Sequence, residues 1–168
     1  MKKLLSAVVA SLVAVSAHGA EFDKRIPMRD KGAATFYVQS DIEGYGPVDL
    51  MVDTGSGYMT INEQTLNVLQ AQGRAKFVKK LSGVMADGSR KVVPVYRLSS
   101  INIGGECVIS DIEAAVFPGN TRHILGLNAL KQVAPFGISV EPPTLLLSNC
   151  RPPTTTAQKP PLGTVAAQ

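Results

Sequence analysis

The stretch that decides the fold is Val48-Asp49-Leu50-Met51-Val52-Asp53-Thr54-Gly55-Ser56. Its first five residues are typical of a β-strand, because apolar and β-branched side chains dominate them. The strand leads directly into Asp53, whose carboxylate is followed by the hydroxyls of Thr54 and Ser56, while Gly55 allows the backbone to turn sharply. Two interpretations of Asp53 remain open at this level. It is either a reactive carboxylate presented by a tight loop or an Asx-type turn residue that only bonds nearby N–H groups.

Strand signals continue on both sides of this stretch. Upstream, residues 34–42 are rich in β-branched and aromatic residues, and the turn cluster 43–47 joins them to the strand at 48–52 as a hairpin. Downstream, Ala86-Asp87-Gly88-Ser89 lies between apolar pairs, and Asp-Gly in that setting predicts a second hairpin. Further strands are predicted at Val95–Ile103, Cys107–Ile109, Ile112–Phe117, Ile138–Val140 and Thr144–Ser148.

Two short helices interrupt the strands. Asn62 is a good N-cap for a helix over Glu63–Gln70, which Gly73 can end, and Asn128–Val133 predicts a second helix of one to two turns. Many short strands separated by turn signals, with few helices, predict an all-β protein. A closed or nearly closed barrel with one or two short helices fits this pattern better than a βαβ sheet.

The order of the motifs resembles that of the retropepsin-like aspartic peptidases, over about residues 36–148. The chain presents a strand ending in Asp53-Thr54-Gly55-Ser56, then the hairpin Met85-Ala86-Asp87-Gly88, then Ile101-Asn102-Ile103-Gly104-Gly105, and then Ile124-Leu125-Gly126 before a helix. The resemblance implies a retropepsin-like acid-protease barrel acting as a homodimer. Gly57 after Ser56, and a flap without an obvious Tyr, depart from the family pattern.

The resemblance also implies a role for each matching residue. Asp53 would be the catalytic residue, and Leu125 and Gly126 would support its loop from below. Within the active-site loop, Thr54 would brace two loops across the dimer, Gly55 would shape the turn and Ser56 would bond the carboxylate. The tip of a flap that binds substrate would comprise Met85, Ala86, Asp87 and Gly88.

Aspartic proteolysis requires two carboxylates that share one proton, because two adjacent carboxylates cannot both ionise cheaply. The chain has a single Asp-Thr-Gly, so the second carboxylate is expected from Asp53 of another copy. These points predict an aspartic endopeptidase that hydrolyses peptide bonds in an extended substrate and uses no cofactor or metal. The alternative is a dimeric peptide-binding or scaffold module on the same fold without turnover. A monomeric domain with an incidental turn requires the motif order to be coincidental.

The N-terminus is typical of a signal peptide. Lys2 and Lys3 precede an apolar run, and Val15-Ser16-Ala17 supplies a cleavage site, so residues 1–17 are expected to be removed. An uncleaved anchor is the alternative, although the run is short for a bilayer span. The mature protein is expected in the periplasm or outside the cell, with no membrane segment. The remaining divisions are an N-terminal lead over 18–33, the protease domain over 34–150 and a disordered Pro- and Thr-rich tail over 151–168.

Composition argues against two other function classes. Removing Lys2 and Lys3 lowers the formal charge of +4 to +2, and no basic stripe with aromatics appears, so nucleic-acid binding is not expected. No Cys or His pair has the spacing of a zinc site. In an oxidising compartment Cys107 and Cys150 are expected to form a structural disulfide, and whether they pair within one chain or between chains stays open. The alternative is a reactive thiol activated by a histidine, for which His18 and His123 are the candidates.

Overall fold

The computed structural model describes residues 22–153. Its strands and helices follow one another in a chain dominated by antiparallel hairpins. They are β1 (Lys24–Pro27), β2 (Arg29–Asp30), β3 (Phe36–Ile42), β4 (Gly46–Val52), β5 (Met59–Asn62), α1 (Glu63–Ala71), β6 (Ala75–Val84), β7 (Arg90–Ile103), β8 (Cys107–Phe117), β9 (Ile124–Leu125), α2 (Leu127–Leu130), a 3₁₀ turn (Lys131–Val133), β10 (Phe136–Val140) and β11 (Pro143–Leu147).

Six strands form a closed barrel in the order β3, β4, β9, β5, β8 and β7. The ring closes where β7 returns to β3, with Ser40 opposite Ile103 and Ile42 opposite Ile101. Strands β2 and β6 extend the sheet beyond the ring. The prediction of a closed all-β barrel is confirmed. Closure leaves fewer open strand edges than a flat sheet would have.

The barrel interior is aliphatic. Every second residue along a strand points inward, and most of these inward-facing residues are aliphatic. In β3, Val38, Ser40 and Ile42 are buried, while Gln39 and Asp41 between them are exposed. Burying one large aliphatic side chain contributes about 1.5–3 kcal/mol, so this layer supplies much of the folding free energy. The largest fully buried side chains are Ile26, Ile42, Leu50, Met59, Ile61, Leu69, Leu98, Ile101, Ile103, Ile112, Leu125 and Leu130.

Both predicted helices are present. The Asn62 side chain accepts a hydrogen bond from the Thr65 N–H at 2.9 Å, which caps α1. Leu66 and Leu69 bury its inner face. Gly73 adopts φ +67° just after the helix, a conformation that suits glycine best. The second predicted helix consists of α2 and the 3₁₀ turn.

The fold begins earlier than predicted. Residues 18–33 were expected to be a lead outside the domain, yet β1 pairs antiparallel with β11, and β10 completes a three-stranded sheet. Ile26 is only 2% exposed and packs where a Cβ on Gly104 would overlap it. The local sequence around Ile26 is too polar to predict a strand. The strand is stabilised by β11, whose residues are more than 100 positions away along the chain. Residues 107–117 also form one strand rather than two, with Asp111 at φ +55° inside it.

Cys107 and Cys150 are joined by a disulfide, with their Cα atoms 4.8 Å apart. It links the start of β8 to the segment after β11, where the Val108 N–H also donates to the Arg151 carbonyl at 2.9 Å. Of the expected tail, residues 151–153 therefore lie beside the barrel. Residues 154–168 and the expected signal peptide are outside the described range. No helix within residues 22–153 is long and apolar enough to cross a membrane.

Candidate functional site

Asp53 lies at the end of β4, in a loop held by backbone hydrogen bonds. Its N–H donates to the Leu125 carbonyl at 3.2 Å, and its carbonyl accepts from the Ser56 N–H at 3.3 Å. The Gly55 N–H donates to the Asp53 Oδ1 atom at 2.8 Å, which is the Asx-type bond that the sequence allowed. A Cβ at Gly55 would lie 3.1 Å from the same oxygen, so glycine suits this position. The carboxylate is half-buried and is oriented by the backbone of its own loop.

The hydroxyls that follow Asp53 serve other partners. The Ser56 hydroxyl donates to the Tyr58 carbonyl at 2.7 Å, rather than to the Asp53 carboxylate as the family resemblance implied. The physical reason is the turn itself, because it brings the Tyr58 carbonyl, two residues along the chain, within reach of the Ser56 Oγ atom. Thr54 is exposed at the tip of the loop. Its hydroxyl is therefore accessible from outside this chain.

The segment Leu125-Gly126 crosses directly beneath the loop. The Leu127 N–H donates to the Ser56 carbonyl at 2.8 Å, and the Asn128 N–H donates to the Gly57 carbonyl at 3.2 Å. A Cβ on Gly126 would come within 2.9 Å of the Ser56 carbonyl oxygen and closer still to that of Tyr58. Only glycine allows this close approach of two backbones. Leu125 is fully buried and seals the base of the loop.

Asn128 is a structural residue of the site that the sequence analysis assigned only to a helix. Its Oδ1 accepts from the Met59 N–H at 2.6 Å, and its Nδ2 donates to the Glu113 carbonyl at 2.7 Å. It thereby ties α2 to β5 and β8, on either side of the site. A polar residue that immediately follows an apolar Leu-Gly-Leu run was the available signal.

The hairpin between β6 and β7 has its turn at residues 85–89. The Met85 N–H donates to the Ser89 carbonyl at 2.8 Å, and the Gly88 N–H donates to the Met85 carbonyl at 2.9 Å. Asp87 closes the turn by accepting from both the Ser89 hydroxyl and the Ser89 N–H, and these bonds lower the pKa of its carboxyl. Gly88 adopts φ +81°. The Asp-Gly hairpin predicted from the sequence is thus present.

A cleft of about 880 Å³ separates this hairpin from the Asp53 loop. Of the predicted loop and flap residues, Asp53, Gly55, Ser56, Met85 and Ala86 line it, together with Gly57. Thr54, Asp87, Gly88, Leu125 and Gly126 are not part of its lining. The rest of the wall is largely apolar and includes Met51, Leu81, Val84, Val93, Ala115, Phe117 and Ile124.

His123 does not line the cleft. Its Nε2 lies 2.8 Å from the Thr65 hydroxyl, and its half-buried ring has a pKa lowered by desolvation. The ring links the loop before β9 to α1, which gives it a structural role. Within residues 22–153, no group of three or more His, Cys, Asp or Glu side chains is placed to hold a metal ion.

Comparisons with known protein families and solved structures point to the same family of proteins. The family model described as "gag-polyprotein putative aspartyl protease" matches residues 38–132. The crystal structure of a retropepsin-like aspartic protease from Rickettsia conorii matches with a TM-score of 0.52 at 19% identity, covering 74% of this chain and 89% of that chain. A comparison with curated proteins finds no match.

The structural likeness, at this low identity, supports the fold. The family match adds the sequence evidence, because it spans more than half of the chain and includes the Asp53 loop, the hairpin over the cleft and Gly126. The chain therefore belongs to the gag-polyprotein type of aspartyl protease family and has the retropepsin-like fold.

Proposed function

We propose that the protein is an aspartic endopeptidase whose active site pairs Asp53 of two identical chains. The observation that carries this proposal is the position of Asp53, which lies on the floor of a peptide-sized cleft beneath a hairpin. Its carboxylate is oriented by Gly55, and its loop is supported from below by Gly126. A binding module would not need a carboxylate held in this way.

The need for a second copy follows from the acids of the cleft. Among the described residues, Asp53 is the only Asp or Glu that lines it. Other aspartates are engaged elsewhere: Asp49 binds Arg29 and Lys31, and Asp87 closes the hairpin turn. A catalytic dyad therefore requires Asp53 of a second chain across a two-fold axis. Thr54 is exposed, and in such a dimer its hydroxyl would contact the partner loop.

The chemistry of such a dyad balances without a cofactor. The ionised carboxylate takes a proton from a water molecule, whose oxygen attacks the scissile carbonyl carbon. The protonated carboxyl gives its proton to the carbonyl oxygen, which produces a tetrahedral diol. As the diol collapses and the C–N bond breaks, the amine nitrogen takes a proton from one carboxyl and a diol hydroxyl gives its proton to the other carboxylate. The products are an amine and a carboxylic acid, and the dyad is back in its shared-proton state. The apolar walls exclude water and strengthen these electrostatic effects.

The substrate is proposed to be an extended peptide segment held between hairpin and floor. An extended chain offers its backbone N–H and C=O groups to flanking strands, and these bonds supply affinity without requiring a fixed sequence. The open cleft and the strands around it support this mode of binding. Unfolded proteins or flexible loops are the corresponding substrates.

The Asp53→Asn variant tests the proposal. The substitution preserves side-chain size but removes the ionisable group, so turnover of an unfolded protein should fall about 10²–10⁴-fold while folding is unchanged. Proteolysis should be followed by mass spectrometry, and folding by circular dichroism. An excess of Asp53→Asn chains should also inhibit the wild type by forming mixed dimers.

Two outcomes would contradict different parts of the proposal. Full activity of the Asp53→Asn variant would exclude Asp53 from catalysis and favour another site. Constant specific activity at dilutions where sedimentation detects only monomers would exclude the shared dyad. A wild-type protein that binds unfolded chains without cutting them would be a binding module.

We also propose that the protein acts in the periplasm or outside the cell. The signal-peptide pattern of residues 1–17 supports export, and a disulfide between Cys107 and Cys150 is compatible with an oxidising compartment. N-terminal sequencing of the exported protein should begin at or near His18. Retention of Met1 by a cytoplasmic protein would contradict this.

A further inference from the structure

The lining of the cleft contains more cationic than acidic side chains. Within the described residues, its lining includes one acid, Asp53, and two cations, Lys91 and Arg122. A dimer would present each of them twice, and the dyad would hold one proton. The cleft would therefore carry a net positive charge around the cleavage point, although its walls are mostly apolar.

Lys91 faces into the cleft because of its position in the hairpin. It lies opposite Gly83, and the pair Leu81–Val93 is the next inward-facing pair along the ladder. These four residues line the cleft, whereas Val92 points to the opposite face and is 66% exposed. Gly83 has no side chain to cover Lys91 from across the hairpin. The ammonium group is thus carried on the underside of the hairpin.

Arg122 reaches the cleft from the loop between β8 and β9. Its carbonyl accepts from the Thr60 hydroxyl at 3.5 Å, which attaches the loop to β5. Its guanidinium Nη1 lies 3.6 Å from the Met51 sulfur, and Met51 is two residues before Asp53. The guanidinium is therefore beside the strand that delivers the catalytic residue.

Neither cation forms a close ion pair among residues 22–153, although the positive charge of Lys91 helps to lower the pKa of the Asp87 carboxyl on the same hairpin. Six other cations of this range do form ion pairs, among them Lys79 and Arg97 with Glu113, and Arg74 with Glu43. Lys91 and Arg122 form no such ion pair in this part of the chain, although both lie in the cleft where a substrate would pass. An arginine is well suited to a carboxylate, because its planar guanidinium can donate two parallel hydrogen bonds.

We infer that Lys91 and Arg122 make the enzyme selective for peptides that carry an acidic side chain near the scissile bond. The inference rests on the proposed peptidase function and adds its substrate class. Glutamate or aspartate beside an otherwise apolar sequence would bring a carboxylate that can pair directly with these cations, with its charge partly shielded from water by the hairpin. In a two-fold symmetric dimer the preference would occur on both sides of the cleavage point.

Peptide series of matched size test the inference. A peptide cut by the wild type should be varied at each position flanking the scissile bond, with Glu, Gln and Lys compared by kcat/KM. Charge-assisted hydrogen bonds are strong enough that we expect about a tenfold preference for Glu over Gln at one or more positions. The preference should weaken as salt is added.

The variants assign the preference to these two residues. Arg122→Met and Lys91→Met should each reduce the Glu over Gln ratio, and Arg122→Glu should shift the preference toward Lys. Arg90→Met is the matched control: Arg90 lies next to Lys91 on the same hairpin but does not line the cleft. It should leave the ratio unchanged.

The outcomes separate this inference from the proposed function. Cleavage with equal kcat/KM for Glu, Gln and Lys at every position would overturn the inference alone. A preference that survives both methionine variants, or that Arg90→Met removes equally, would also overturn it. Absence of cleavage of any peptide or unfolded protein would overturn the proposed peptidase function and this inference with it.

Discussion

At the scale of single residues, the site depends on positions where a backbone must approach another backbone. Gly126 is the clearest case, since a Cβ there would collide with the carbonyl groups of Ser56 and Tyr58. Those carbonyls belong to the loop that carries Asp53. A change at Gly126 therefore affects both folding and the position of the carboxylate, although Gly126 itself has no chemistry.

Gly126→Ala should lower the free energy of unfolding by about 1–3 kcal/mol, because backbone atoms rather than a flexible side chain must move. Chemical denaturation measures this change. Gly57→Ala is the matched control for stability, since a Cβ at Gly57 would meet nothing within 4 Å. Equal stability of the two variants would show that the crossing is less tightly packed than described.

At the scale of elements, the hairpin is held to the barrel by charges near its base. Glu113 on β8 binds Lys79 of β6 and Arg97 of β7, both at 3.1 Å. Lys79 also lies 5.5 Å from the centroid of the Tyr58 ring, next to the Asp53 loop. The hydrogen bond from Lys79, with that from Arg97 and their charges, lowers the pKa of Glu113 below 4.5. The cluster therefore links β6, β7 and β8 through one carboxylate.

The pH dependence of Glu113 has a defined sign. Its pKa is lower in the folded than in the unfolded state, so its contribution to stability is present above pH 4.5 and is lost as the pH falls through the folded value. Glu113→Gln should lower the free energy of unfolding at pH 7 by less than about 1 kcal/mol, because the cluster is partly exposed. The difference from wild type should vanish in acid.

Denaturant unfolding at several pH values measures this effect. Asp111→Asn is the control, since it removes one negative charge from the same strand, and Asp111 forms no ion pair within residues 22–153. A constant difference between Glu113→Gln and wild type from pH 7 to pH 3 would contradict an electrostatic origin.

At the scale of the whole molecule, the chain ends of the described fold are tied to the barrel. The β1–β11–β10 sheet brings the first and last strands together, and the disulfide joins β8 to the segment that follows β11. Cys107 is fully buried. The bridge closes a segment 43 residues long in sequence, which restricts the unfolded chain.

The double variant Cys107→Ala and Cys150→Ala should lose about 4 kcal/mol of stability in the chain-entropy model. Denaturant unfolding of the variant and of the oxidised wild type measures the difference. Mass spectrometry under denaturing, non-reducing conditions should find no free thiol and no cross-linked dimer in the wild type. Two free thiols, or an unchanged free energy of unfolding, would contradict a stabilising bridge.

The sequence alone determined the turns, caps and strands whose conformation depends on residues adjacent in the chain. The Asp53-Thr54-Gly55 loop, the Asp87-Gly88 hairpin and the Asn62 cap were all predictable, because turn and cap conformations depend mainly on a few adjacent side chains. The aliphatic barrel was also predictable, since strand periodicity and turn spacing are local patterns.

Tertiary structure alone decided the features that depend on distant residues. It recruited β1 into the fold, placed Asn128 between β5 and β8 and brought Lys91 and Arg122 into one cleft. Each of these features joins residues by strand pairing or by packing. Their free energy exists only once the barrel closes, so no local stretch of sequence carries a signal for them.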